Sequence, residues 1–296
     1  MDDVQLPSGP VTVRASEPCA PPAPNAPAET PAWRLPVAIV AAGLPTVLPI
    51  YAWIAILQSQ DRSAAELAMP SMGMNNMSVF WAFPLLQASG LAALMWAYAG
   101  VALGLAESGR RLRWLPLRRR EMDRLHRYIS LLVIGLIVVH VLATAFDGMG
   151  DSLATVLVPQ QESWAAARWA YDLGIFAFYL SLLLGTTYYL RRYIGTRAWR
   201  FAHRFVIVVY ILSVWHTLII GADVRHYGWM RPVLWLAQVP LLALLCYRLI
   251  TPAARSRSRA ATATRYGIAL ASAAALAAIV AIVATGHYAT VVQSIG

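Results

Sequence analysis

The chain has 296 residues, of which 59% are apolar and only 13% charged, against about 25% charged in an ordinary globular domain. All 24 basic residues are arginine, and the lack of lysine excludes a lysine Schiff base, a lysine general base and a phosphate-loop lysine. The two cysteines, Cys19 and Cys246, supply neither a disulfide framework nor a metal cluster, and there is no Cys-x-x-Cys-His for covalent cofactor attachment. The formal net charge of +10 would suit nucleic acid only if the arginines formed a solvated basic face.

Residues 1–33 contain Pro18, Pro21, Pro22, Pro24, Pro27 and Pro31 in an alanine-rich run and read as a disordered tail. They lack the basic-then-apolar layout of a cleavable signal peptide, and Cys19 has no lipobox-like surroundings, so the first apolar helix is expected to act as an uncleaved anchor. Seven stretches without Asp, Glu or Arg follow: Leu35–Gln60, Leu67–Ala106, Tyr128–Phe146, Leu173–Leu190, Phe205–Ala222, Pro232–Tyr247 and Tyr266–Gly296. About 20 apolar residues as helix cross the roughly 30 Å hydrocarbon core. The stretches therefore predict membrane helices over 35–57, 79–105, 126–146, 169–190, 202–222, 232–250 and 267–288. The fold class is all-α and integral to the membrane, with three parts. These are a tail (1–33), a six-helix domain (34–250), and a basic linker with a seventh helix (251–296).

The arginines set the direction of insertion. Those after the second, fourth and sixth predicted helices, with Arg14 and Arg34, make twenty of the twenty-four. The other loops hold only Arg62, Arg168, Arg225 and Arg231. The positive-inside rule places the larger set, and the N-terminus, in the cytoplasm of a cell or inner membrane. Lipid is then the partner that the charge addresses, and nucleic acid is not.

Four of the six histidines fall in the third and fifth predicted helices. His126 and His140 are 14 residues apart, and His203 and His216 are 13 apart, which are rises of roughly 21 and 20 Å. Both helices run from inside to outside, so His126 and His203 share the cytoplasmic leaflet and His140 and His216 the outer one. Two histidines from two helices at one depth can ligate a haem iron from its two sides without another protein donor, giving two stacked haems. A single membrane histidine is as readily a hydrogen-bonded helix contact, but four matched in depth, spacing and direction are not. On an ideal helix, 14 residues return to within about 40° of the same face, whereas 13 leave about 140°. Either the fifth helix is distorted or overwound, or its two histidines face different azimuths.

These residues resemble the ferric reductase-like transmembrane domain. That superfamily includes NADPH oxidases, ferric reductases and the haem-binding membrane subunit of the bacterial methionine sulfoxide reductase system. Its pattern is a histidine pair 14 apart on the third helix and another 13 apart on the fifth. Here His-Arg begins each pair, and Trp199-Arg200-Phe201-Ala202-His203-Arg204 is similar to the family's Trp-x-x-Leu-His-Arg. The resemblance implies that His126 with His203 holds an inner b-type haem, and His140 with His216 an outer one. It also implies an oxidoreductase, or the haem subunit of one, that passes electrons across the membrane. The flavin and nicotinamide domain of many relatives has no counterpart in this sequence, and the seventh helix is an addition. The donor is therefore expected to be a separate cytoplasmic flavoprotein, supplying flavin, or membrane quinol. The acceptor is an external ferric or cupric ion, oxygen or a partner reductase.

Arg127 and Arg204 each begin a haem helix and are the candidates for binding propionates. The arginine-rich loop Gly109–Arg127 reads as a topology signal on lipid headgroups, or as a dock for an acidic donor. Gly135 would let a porphyrin approach the third helix, and Tyr210 lies about midway between His203 and His216. Met69, Met72, Met74 and Met77 form Met-x-x-Met-x-Met-x-x-Met before the second helix. They read either as a Cu(I) site of soft thioethers or as a loop dipping methionines into lipid. His226 and His287 are unpaired. A haem-free metal transporter or sensor, built from the methionine loop and the membrane histidines, is the competing function.

Overall fold

The computed structural model describes residues 34–68, 81–108, 119–146, 152–161, 168–221, 223–224, 227–250 and 259–285. The chain divides into Met1–Arg34 and Leu35–Gly296, and apart from Arg34 the described residues belong to the second unit. All regular structure among them is helical. That is what a lipid solvent demands of a chain without a closed barrel, because each backbone N–H and C=O must be satisfied within the segment.

The helices are α1 (Arg34–Ala68), α2 (Ala82–Ser108), α3 (Arg119–Ala145), a short α4 (Leu153–Leu157), α5 (Arg168–Ile194), α6 (Thr196–His203), α7 (Val206–Ile220), α8 (Met230–Ile250) and α9 (Arg259–Thr285). Among the described residues, six segments are long and apolar enough to cross a membrane: Val37–Ser59, Ala82–Ala106, Glu121–Ala145, Arg168–Ile194, Thr196–Ile220 and Met230–Leu249. The protein is a multi-pass membrane protein. In α9 the apolar stretch Tyr266–Ile279 is shorter than these six.

Helix ends differ from the predicted ones where charge was used as the boundary. The third helix starts at Arg119, not at 126, because Arg119, Arg120, Glu121, Asp123 and Arg124 fit a helical turn at the interface as well as a loop. Charge marks the edge of the hydrocarbon and does not end the helix. Two prolines, Pro45 and Pro49, lie inside α1. Such breaks are tolerated in membrane helices, where other groups and local adjustments re-satisfy the freed backbone.

Helix α3 lies along α2, α7 along α5 and α9 along α8, while α2 also touches α7 and α8. One apolar core joins Val47 and Ile54 of α1, Ala88, Ala92 and Ala93 of α2, and Leu132 and Leu136 of α3. A second joins Leu94 and Leu105 of α2, Tyr210, Val214 and Leu218 of α7, Trp235 and Leu241 of α8, and Ile279 of α9. Small residues set the close crossings, as expected where no hydrophobic effect drives helices together. A Cβ on Gly100 would fall 3.2 Å from Ile129, and one on Gly185 2.7 Å from Ile134.

The junctions of α6 are sharp. Gly195, at φ 82°, is the single residue between α5 and α6, in backbone space that side chains resist. Between α6 and α7 the helix tightens. Arg204 N–H bonds the Phe201 carbonyl, Phe205 that of Ala202, Ile207 that of Arg204 and Val208 that of Phe205, each a three-residue turn.

Candidate functional site: two stacked histidine pairs

Helices α3, α6 and α7 bring the four histidines together in two pairs. The rings of His126 and His203 have centroids 6.0 Å apart with planes at 79°, and those of His140 and His216 are 6.3 Å apart at 87°. The spacing of 13 residues, at odds with an ideal helix, is accommodated by the tightened turn just after His203. Each residue of a three-residue turn rotates about 20° further than an α-helical one, so the tightened turn lowers the offset of about 140° toward that along α3. The pairs face each other at both levels.

The His140–His216 pair, the outer one in the predicted topology, is held by backbone. Nδ1 of His140 lies 2.8 Å from the Leu86 carbonyl of α2, and Nδ1 of His216 lies 2.9 Å from the Ala170 carbonyl of α5. A carbonyl only accepts, so each Nδ1 carries the proton and each Nε2 keeps its lone pair. Tyr171 stands edge-on to His216 at 6.3 Å. The inner pair is held differently. Trp199 stacks on His203 at 5.2 Å and 24°, and Tyr188 meets Trp199 edge-on at 6.1 Å. Nδ1 of His126 is buried without a hydrogen bond of ordinary geometry.

This donor set suits a haem better than a bare ion. An imidazole nitrogen sits about 2 Å from its metal and about 1 Å from its own ring centre, so two imidazoles on opposite sides of one iron have centroids about 6 Å apart. Both pairs have that separation. A bare ion usually needs three or four protein donors, and among the described residues no three His, Cys, Asp or Glu side chains gather for one. Two suffice when a porphyrin supplies the rest.

Residues 90–214 match the family model of the ferric reductase like transmembrane component. This segment is similar to the transmembrane component of that family. The match runs from Gly90 in α2 to Val214 in α7, takes in His126, His140 and His203, and stops two residues before His216. No curated protein and no solved structure gave a match.

Within the ferric reductase-like segment, Arg127 and Arg204 are exposed beside their histidines, Arg127 with its guanidinium 6.0 Å from the Tyr128 ring. Arg204 has a neighbour that the sequence did not single out, Arg248 of α8, close enough for the two charges to repel. Gly135 is exposed with nothing near a would-be Cβ, about half a turn round α3 from His126. Tyr210 turns to α8, where its hydroxyl donates to Gln238 Oε1 at 3.0 Å. Met69, Met72, Met74 and Met77, with His226 and His287, lie outside the described residues. Sequence reasoning missed the glycines under the histidines. Gly90 and Gly104 repeat on α2 the 14-residue spacing of His126 and His140 on α3, a signal that was there to be read.

Proposed function

We propose that the protein carries electrons across the membrane through two b-type haems, one between His126 and His203 and the other between His140 and His216. The observation that carries the reading is the matched geometry of the pairs, 6.0 and 6.3 Å between ring centroids, at two levels roughly 20 Å apart along the helix axes. When bound, a bis-histidine haem supplies one-electron redox chemistry with no open coordination position. The chain's part is to present bare Nε2 atoms, to fix the ring planes and to keep water from the sites. Arg127, Arg204 and Arg248 stand at the inner end, where the like charges of Arg204 and Arg248 favour an anion such as a propionate between them.

In this reading the domain spans residues 34–250 of a cell or inner membrane, with the N-terminal tail (1–33) in the cytoplasm on the side that the arginines mark. Residues 251–296 are a basic linker and a seventh crossing that uses α9. The donor is a separate cytoplasmic flavoprotein, or quinol from the membrane. The acceptor lies outside and is a ferric or cupric ion, oxygen or a partner reductase, which makes the chain an oxidoreductase or its haem subunit. A reduced-minus-oxidised spectrum of the purified protein tests this. Two b-type haems per chain are expected, and a spectrum without a b-type band overturns the reading.

A further inference from the structure

We infer that Gly90 and Gly174 are positioning residues that seat the outer histidine pair, fixing the tautomer and ring plane of His140 and His216. The inference deepens the proposed haem function and rests on it for its redox readouts, though the seating itself is a property of the chain alone.

The two seats are built alike on two different helices. In α2 the acceptor for His140 is the Leu86 carbonyl, and Gly90 follows it by four residues. In α5 the acceptor for His216 is the Ala170 carbonyl, and Gly174 again follows by four. In an α-helix that carbonyl already receives the N–H of the glycine, so the imidazole must come in beside the glycine to reach the second lone pair. A Cβ on Gly90 would fall 2.9 Å from Nδ1 and 3.0 Å from Cε1 of His140, and one on Gly174 2.7 Å from Nδ1 and 2.6 Å from Cε1 of His216. Any side chain there must push the ring off the carbonyl. The blocking atoms belong to the imidazole that makes the bond, so moving them aside stretches the contact of Nδ1 with the carbonyl.

The inner pair provides the contrast. Gly104 stands in the same relation to Gly100 and His126, but a Cβ there would lie 3.4 Å from Cε1 and 4.0 Å from Nδ1, ordinary contact. His203 has the Trp199 stack instead. The device is therefore specific to the outer level. A ligating histidine whose other nitrogen donates to a carbonyl is a stronger base toward its metal, which stabilises the oxidised form. Unseating either ring weakens that donation and moves the outer midpoint upward.

The test compares Gly90→Ala, Gly174→Ala and Gly104→Ala in the full chain, by haem content, low-spin electron paramagnetic resonance and redox titration. In Gly90→Ala and Gly174→Ala the outer signal is expected to be lost, or its midpoint shifted upward, with the inner signal kept. Gly104→Ala should keep both signals. Wild-type outer signals in Gly90→Ala and Gly174→Ala overturn the inference, as does loss of both centres together from protein inserted at the normal level. Should one variant fail to reach the membrane, the other carries the same test from the opposite side of the pair. Nitrogen-15 NMR of histidine-labelled, haem-free protein separates this inference from the haem reading. Protonated Nδ1 and bare Nε2 on His140 and His216, lost in the two variants, support the seats even if no haem binds. A mixture of tautomers in the wild-type chain overturns them.

Discussion

Trp199 lies flat against His203 one helical turn before it, ring centroids 5.2 Å apart and planes 24° apart. The indole is itself buttressed by Tyr188, over which Arg191 holds its guanidinium at 4.4 Å. The inner pair thus has on its α6 side an aromatic wall that the outer pair lacks. Its stiffness comes from ring packing, not from a carbonyl hydrogen bond. An aromatic pair adds about 0.5–1.5 kcal/mol beyond its buried area, enough to restrict a histidine to one ring plane.

Trp199→Phe should therefore be mild and Trp199→Leu should not. The indole Nε1 is buried without a partner, so replacing it by a hydrocarbon ring removes an unsatisfied donor while keeping a face for His203. Leucine leaves His203 free to turn. The expected result is an inner low-spin signal that is unchanged in Trp199→Phe and broadened or partly lost in Trp199→Leu, with the outer signal intact in both. Equal effects of the two substitutions would show that the ring face is not what matters.

Single replacements of the paired histidines should divide by level. His140→Ala and His216→Ala are expected to remove the same outer centre and leave the inner one. His126→Ala and His203→Ala should do the reverse. The pairing rests on centroid separations of 6.0 and 6.3 Å, so a variant that removes the centre of the other level contradicts it. Haem content by spectroscopy, with titration of the remaining signal, reads the outcome directly.

The tightened turn after His203 marks the limit of what the chain shows without coordinates. The six crossings were legible because apolar runs between arginines are hard to mistake in a chain with 13% charge. The histidine pairs were legible because their rises of roughly 21 and 20 Å set the four residues at two matched depths. The turn at Arg204–Phe205 was not, since neither proline nor glycine announces it, and only the mismatch of 13 against 14 residues hinted that something there must overwind. The seats of His140 and His216 depend on which turn of α2 and α5 faces which turn of α3 and α7. That register is set by packing across helices, which no single helix encodes. The short α4 and its anchor belong to the same class.

Gly195 should be replaceable only at a cost. Its φ of 82° is left-handed, and nothing lies within 4 Å of a Cβ built there, so the penalty for a side chain is backbone strain alone. At φ 82° and ψ 152°, in a region that essentially only glycine adopts, Gly195→Ala is expected to lower stability by about 1–3 kcal/mol, measured by thermal unfolding in detergent. An unchanged unfolding temperature in Gly195→Ala would mean that the α5–α6 junction is not held in this conformation.

Asp172 ties the segment after α4 to the N-terminal end of α5. Its carboxylate accepts the Gln160 backbone N–H at 3.0 Å and the Gln160 side-chain amide, holding a residue whose φ is 66°. Asp172 is buried two residues beyond the carbonyl that holds His216. Asp172→Ala leaves the Gln160 N–H unpaired and should cost about 1–3 kcal/mol. It should also speed hydrogen exchange across residues 158–161. Asp172→Asn, which keeps one acceptor, should lie between. Exchange as slow in Asp172→Ala as in the parent would rule out the anchor.

Tyr210 supplies the counter-case, a residue whose position in the sequence invites a redox role that its surroundings do not support. It stands about midway between His203 and His216, yet it is buried in the core with Val214, Leu218 and Trp235, and its hydroxyl donates to Gln238 Oε1. Gln238 in turn donates to the Leu234 carbonyl at 2.9 Å, so the phenol completes a chain that ends on α8. Tyr210→Phe should leave both haem signals and their midpoints in place while lowering stability by about 1 kcal/mol, the net worth of an ordinary hydrogen bond. Gln238→Leu removes the same bond from the other side, and the two losses should not add, since both substitutions break one interaction. A slowed electron transfer in Tyr210→Phe at unchanged stability would instead place the phenol between the two centres.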